Sequence, residues 1–257
     1  MASRGCASSI AASSSATRAP ASASGSRATF PGATFLDVDR DLAAEPGERG
    51  RHPLPEPAAF EAAARRAGVS QGSRVVAYDR AGEGGAARLW WLLRHFGHDE
   101  VAVLDGGLAA WRSEGGPVEP GAVSEAPGDF VVHAREGDKV ELEQLESAML
   151  LDARAPERYR GEVEPIDAVA GHIPGAVSLP FAELAPQGRF LPPEELRDRF
   201  QAVGAASDRQ LAAYCGSGIT ACVVVLAAEQ AGLGPVRLYP GSWSEWSRRG
   251  LPVARQQ

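Results

Sequence analysis

The chain has 257 residues, 44% hydrophobic and 23% charged, which suits a globular protein with room for two ordinary domains. A formal net charge of −7 argues against nucleic-acid binding, and the longest apolar run, residues 221–228, is far too short to span a bilayer. Three cysteines, Cys6, Cys215 and Cys222, with no C-x-x-C pair, argue against a disulfide framework and a zinc site and fit a reducing compartment.

Residues 1–28 are low-complexity Ala and Ser with Arg4, Arg18 and Arg27, and the first acidic residue is Asp37. The tract reads as an organellar transit peptide, as a disordered tail, or, the preferred reading, as a mis-assigned start. It holds no run that predicts a strand. Residues 75–78 predict a strand, and residues 86–96 a helix with Leu89, Leu92, Leu93 and Phe96 on one stripe. Residues 101–104 predict the next strand. A Pro/Gly-rich linker follows over 119–137, then a helix over 141–148, a strand over 149–152, and a strand over 211–214. The sequence Cys215-Gly216-Ser217-Gly218-Ile219-Thr220 leads from that strand to a helix over 221–231. Short apolar strands alternating with helices predict α/β parallel sheets covered on both faces.

The chain repeats itself in order. Phe30-Pro31-Gly32-Ala33 matches Ile173-Pro174-Gly175-Ala176, and the strand ending at Asp79 matches the strand ending at Cys215. Asp105-Gly106-Gly107 with Trp111 matches Pro240-Gly241-Ser242 with Trp246. Gly116-Pro117-Val118 matches the closing phrase that ends Pro252-Val253. The predicted domains are therefore an N-terminal copy over 29–118 and a C-terminal copy over 138–257. The N-terminal copy lacks equivalents of the second copy's first helix and strand, so it is expected to be incomplete and the less stable half.

Cys215 stands at the C-terminal end of a strand and before a helix, where backbone N–H groups converge and stabilise an anionic sulfur. That arrangement predicts a nucleophile. Gly216 and Gly218 let the loop turn its amides inward. Ser217 offers a hydroxyl to a substrate, and Thr220 is placed to cap the following helix. Cys222 lies within the apolar helix and reads as core. A cysteine-dependent phosphatase would need an arginine about six residues after its cysteine, where this chain has Ala221.

With Gly171-His172-Ile173-Pro174-Gly175-Ala176, the Cys215 loop and the two glycine–tryptophan phrases, the chain resembles the two-domain rhodanese family. The resemblance spans roughly residues 30–253. It implies two tandem rhodanese-like domains and a sulfurtransferase that moves sulfur from 3-mercaptopyruvate or thiosulfate through a Cys215 persulfide. The acceptor is a thiol or cyanide, and a thioredoxin-like protein is a candidate. It implies no metal or cofactor, and with the charge and hydropathy no nucleic-acid or membrane partner. The location is cytoplasmic, or organellar if the first 28 residues are a transit peptide.

The resemblance also carries over Arg158 as a donor-binding residue, with Gly216, Gly218, Ile219 and Thr220 lining the donor site. It implies a Ser217–His52–Asp39 set. Asp79 replaces the cysteine in the N-terminal copy, which is thus non-catalytic. One departure stands out: mercaptopyruvate enzymes commonly have a second arginine shortly after the Arg158 motif, and the matching position here is Asp167. A non-catalytic sulfur carrier or binding module with an impaired N-terminal half is the alternative function.

Overall fold

Short apolar runs bounded by glycine and proline turns fold as parallel strands in both halves of the chain. The computed structural model describes residues 7–13, 28–121, 123–205 and 210–255. They divide into two units, residues 1–44 with 55–135, and residues 45–54 with 136–257.

In the first unit, β1 (Ala7–Ser13), β2 (Ala28–Thr29) and β3 (Thr34–Asp37) precede α1 (Pro57–Arg66). Then come β4 (Arg74–Tyr78), α2 (Gly85–His95), β5 (Val101–Val103), α3 (Gly107–Ser113) and β6 (Glu119–Pro120). The sheet order is β3-β1-β4-β5, all parallel, and β2 pairs antiparallel with β6. α2 is buried along most of its length, as its Leu89, Leu92, Leu93 and Phe96 stripe predicts.

In the second unit a 3-10 helix, Leu142–Ser147, stands where an α-helix was predicted, closed at its start by a reciprocal Glu141–Gln144 capping box. It leads into β7 (Met149–Asp152), α4 (Pro156–Arg160), β8 (Val177–Ser178), α5 (Phe181–Leu184) and α6 (Pro193–Ala202). β9 (Leu211–Tyr214), α7 (Ala221–Gln230), β10 (Val236–Leu238) and α8 (Ser242–Arg248) complete it. The order is β10-β9-β7-β8, again all parallel. All four residues of β9 are buried, which explains its unbroken apolar run.

The two sheets have one topology: β1, β3, β4 and β5 occupy the places of β7, β8, β9 and β10. This corrects the expectation that residues 1–28 hold no strand. Ala7–Ser13 is a central strand, with Ile10 opposite Thr34 on one side and Ala77 on the other. The sequence signal is weak because alanine and serine have low strand propensity. Ladders on both sides supply the hydrogen bonds, and Ile10, the strand's one large apolar residue, is fully buried. The transit-peptide and tail readings of residues 1–6 and 14–27, and Cys6 with them, lie outside the described residues.

The predicted linker is laid along the first unit over much of its length. Phe130 is fully buried against Phe60, and the N–H groups of His133 and Arg135 donate to Phe96 and His95 carbonyls. Residues 45–54, which precede the bulk of the N-terminal copy in sequence, group with the second unit instead.

Candidate active site

β9 delivers Cys215 at its C-terminal end, where parallel sheets place reactive groups. The strand must turn at once into α7, and Gly218, at φ +81°, makes that turn. A side chain at Gly218 would lie 2.6 Å from the Pro240 carbonyl oxygen. The turn brings the Gly218 N–H back to donate to Cys215 Sγ at 3.1 Å. The Cys215 sulfur is thus buried with a backbone donor on it. Cys222, fully buried on α7, donates its thiol to the Gly218 carbonyl at 3.4 Å, so it packs under the loop as predicted.

A second anchor comes from the start of α8. The Cys215 N–H donates to Ser242 Oγ at 3.1 Å, and that hydroxyl donates to the Tyr239 carbonyl at 2.9 Å. Trp243 and Ser244 N–H groups donate to the Cys215 and Gly216 carbonyls at 3.0 and 2.9 Å. Ser242 achieves this at φ +54°, in the left-handed region that a serine rarely adopts.

The segment 45–54 supplies the next layer. His52 Nδ1 lies 2.7 Å from Ser217 Oγ. The Arg51 N–H donates to Ser244 Oγ at 3.0 Å, and Arg51 Nη1 is ion-paired with Asp167. Asp39 belongs to the first unit, in the turn after β3, where its N–H donates to Asp37 Oδ1 at 2.9 Å. Two members of the predicted Ser217–His52–Asp39 set are therefore joined directly within the second unit.

Arg158, on α4, is held by Glu164 at 2.6 Å and lies 3.7 Å from Asp167 Oδ2. Glu164 is buried, which by itself would raise its pKa. The Arg158 hydrogen bond and the amides of Asp167 and Ile166 outweigh that and hold it below the ordinary glutamate value. Asp167 goes the other way. Burial, joined by the charge of Glu164, raises its pKa despite Arg51 and Arg158. A Cβ built on Gly216 would stand 2.9 Å from Arg51 Nη2 and 3.5 Å from both Arg158 Nη atoms. Two guanidinium groups therefore converge on the residue that follows Cys215. Sequence reasoning singled out Arg158 and passed over Arg51, whose only local signal is its place beside His52.

One expectation needs correction. Thr220 makes no side-chain cap to α7, because its helical φ/ψ turns the hydroxyl away from the first free amides. Trp246 Nε1–H donates to the Pro252 carbonyl at 2.7 Å and fastens that stretch to α8. Ile219 and Thr220 are half-buried in the loop leading to α7. His172 is structural, with Nδ1 2.7 Å from the Tyr159 carbonyl oxygen and its ring stacked on Tyr159.

The rhodanese-like domain model matches residues 25–114 and again 138–249. The chain belongs to the rhodanese family. A Pseudomonas aeruginosa protein provisionally named 3-mercaptopyruvate sulfurtransferase is 49% identical over 229 residues, 84% of this chain and 80% of that protein. A Mycobacterium tuberculosis protein provisionally named thiosulfate sulfurtransferase SseB is 43% identical over 227 residues, 85% of this chain and 80% of that protein. The crystal structure of SseA from Escherichia coli superposes with a TM-score of 0.80 at 34% identity, covering 93% of both chains.

The two rhodanese domains differ at the residue that follows the strand before the strand-to-helix loop. In the first, the loop from β4 to α2 carries Asp79, whose carboxylate accepts from the N–H groups of Gly82, Gly84 and Ala86 at 2.6, 3.0 and 3.2 Å. A ring of amides in that loop is filled by the chain's own carboxylate. Among the described residues, no helix is long and apolar enough to cross a membrane, and no group of three His, Cys, Asp or Glu side chains could hold a metal ion.

Proposed function

We propose that the enzyme takes a sulfur atom from 3-mercaptopyruvate onto Cys215 as a persulfide and passes it to a thiol or to cyanide. Sulfur transfer as the reaction class rests on the two rhodanese-like domains and the sulfurtransferase relatives. The observation that carries the persulfide reading is the Gly218 N–H donated to Cys215 Sγ at the C-terminal end of β9.

In the first step the Cys215 thiolate attacks the donor's thiol sulfur. An S–S bond forms as the donor's C–S bond breaks, and the electron pair leaves with the enolate of pyruvate. The proton of the donor thiol ends on the enolate carbon, and the Ser217–His52 pair is the relay that carries it. In the second step the acceptor attacks the outer sulfur, and the S–S electron pair returns to Cys215. No outside oxidant or reductant is needed. With thiosulfate, sulfite would leave in place of the enolate.

A loop with no basic residue after Cys215, and a serine–histidine pair beside it, support the keto acid over thiosulfate. Arg158 binds the donor's anionic end. A thioredoxin-like protein is a suitable thiol acceptor in a reducing compartment.

Intact-mass measurement tests this reading. The wild-type chain should gain one sulfur atom from 3-mercaptopyruvate and lose it to cyanide, and Cys215→Ser should do neither and have no turnover. If the wild-type chain gains no sulfur from either donor, the reading as a non-catalytic binding module replaces this one. A kcat/KM for 3-mercaptopyruvate below that for thiosulfate would overturn the donor assignment alone.

A further inference from the structure

We propose that Asp167 sets how strongly this site takes an anionic donor: its carboxylate stands on the guanidinium groups as a built-in competitor of the donor's charged group. The inference rests on the sulfur-transfer reading of Cys215, and it adds a residue that weakens donor binding and couples it to pH.

Asp167 and Glu164 lie three residues apart in the loop after α4, and their surroundings give them different roles. Glu164 is the counter-ion that Arg158 needs. Its side chain is 3% exposed, and its two oxygens accept from Arg158 Nη2 and Nε at 2.6 and 3.2 Å and from Arg154 Nη1 at 3.4 Å. The N–H groups of Ile166 and Asp167 add donors at 3.2 and 3.1 Å. Asp167 is poorly provided for by comparison. Its side chain is 9% exposed, and Oδ1 accepts from Arg51 Nη1. Oδ2 is buried 3.7 Å from Arg158 Nη2 and finds no hydrogen-bond donor among the described residues. A buried carboxylate oxygen without a donor is costly. Glu164 already neutralises Arg158, so that cost is not explained by the needs of Arg158.

What the second carboxylate does is cancel charge. Arg51 and Arg158 are the guanidinium groups that reach Gly216, the residue after Cys215. With both carboxylates ionised, these two positive charges face two negative ones, and Arg154, behind Glu164, is matched by Asp152. An anionic donor then meets a site with no surplus positive charge. A proton on Asp167 restores one unit. The charged groups that act on Asp167 are Arg51 from residues 45–54, Arg158 from α4 and Glu164 from its own loop. Burial and Glu164 favour the protonated carboxyl, and the two arginines oppose them. A donor anion adds a further like charge, so donor and proton bind together. By the same linkage, donor binding weakens as rising pH strips that proton.

The test measures the second-order rate of sulfur loading onto Cys215, read by intact mass, in the wild-type chain and in Asp167→Asn. The donors are 3-mercaptopyruvate, its uncharged methyl ester, and thiosulfate. At about pH 8 the asparagine variant should load from both anionic donors about tenfold faster than the wild type, because one opposing charge is gone. Loading from the ester should change by less than about twofold, since an uncharged donor feels little of that charge. The advantage should fade as pH is lowered toward about 5, where the wild-type carboxyl takes up its proton. An acid-to-ester ratio that Asp167→Asn leaves unchanged or lowers would overturn the assignment and make Asp167 a brace for the two arginines. The ratio does not depend on the fraction of folded chain, so it decides the matter even if the variant melts early. A wild-type chain that loads sulfur while the ratio stays flat overturns this inference alone. A wild-type chain that loads none overturns the sulfur-transfer reading and this inference with it.

Discussion

Ser242 shows how backbone strain serves the cysteine. At φ +54° it takes a conformation that costs a non-glycine residue roughly 1 kcal/mol or more. The matching residue in the first domain is Gly107, at φ +58°, where a Cβ would lie 2.5 Å from the Asp79 carbonyl oxygen. The copy that carries Cys215 accepts the strain and gains a hydroxyl that holds the Cys215 N–H. Ser242→Gly should leave the melting temperature nearly unchanged, since relieved strain offsets the lost hydrogen bond. Turnover should fall about tenfold as the cysteine loses its backbone anchor. Unaltered turnover would show that the hydroxyl only pins α8. Glu164 gives a pH signature. Its folded pKa lies below the ordinary value of 4.5, so the stability it contributes is present above that value and lost as pH falls through the folded pKa. Melting temperature followed from pH 7 to pH 3 should drop less steeply in Glu164→Gln. The same slope in both proteins would mean that Arg158 does not stabilise the charged form. Local motifs singled out Cys215 and Arg158 as candidates. Arg51 was not among them, because its partner Asp167 lies 116 residues away and no local pattern links the two.

At the scale of elements, the strand-to-helix loop of the first domain carries an amide ring that needs an acceptor. Asp79 meets that need in the first domain with three backbone donors, although burial raises its pKa. Asp79→Ala would strand those donors and should cost about 3 kcal/mol of stability, measured by urea unfolding. A cost under about 0.5 kcal/mol would mean that water enters the ring freely. β1 is the other element on which the first domain depends. It holds the sheet together through two ladders and offers one large buried side chain, Ile10, whereas β7 in the equivalent place has Leu150 and Leu151 buried. Amide hydrogen exchange should be faster in β1 than in β7, because local opening follows buried apolar contact. Equal protection would show that the ladders alone suffice. The strand escaped sequence reading for the same reason: its pairing is set by β3 and β4, and its own residues lack alternation.

Across the whole molecule, the duplication is visible in matched bonds as well as matched strands. Trp111 and Trp246 each donate to a proline carbonyl six residues on, at 2.9 and 2.7 Å. In each unit the residues opening the last helix donate to the loop that carries Asp79 or Cys215. Sequence alone determined the two-fold repeat, the parallel α/β class and the place of Cys215 between a strand and a helix, because each is written in local periodicity or a contiguous motif. Tertiary structure decided the central strand at Ala7–Ser13, the grouping of residues 45–54 with the second unit, and the meeting of Arg51 with Gly216. Those depend on backbone ladders and on side chains brought together from distant stretches, where the partner, rather than the residue's own neighbours, fixes the outcome.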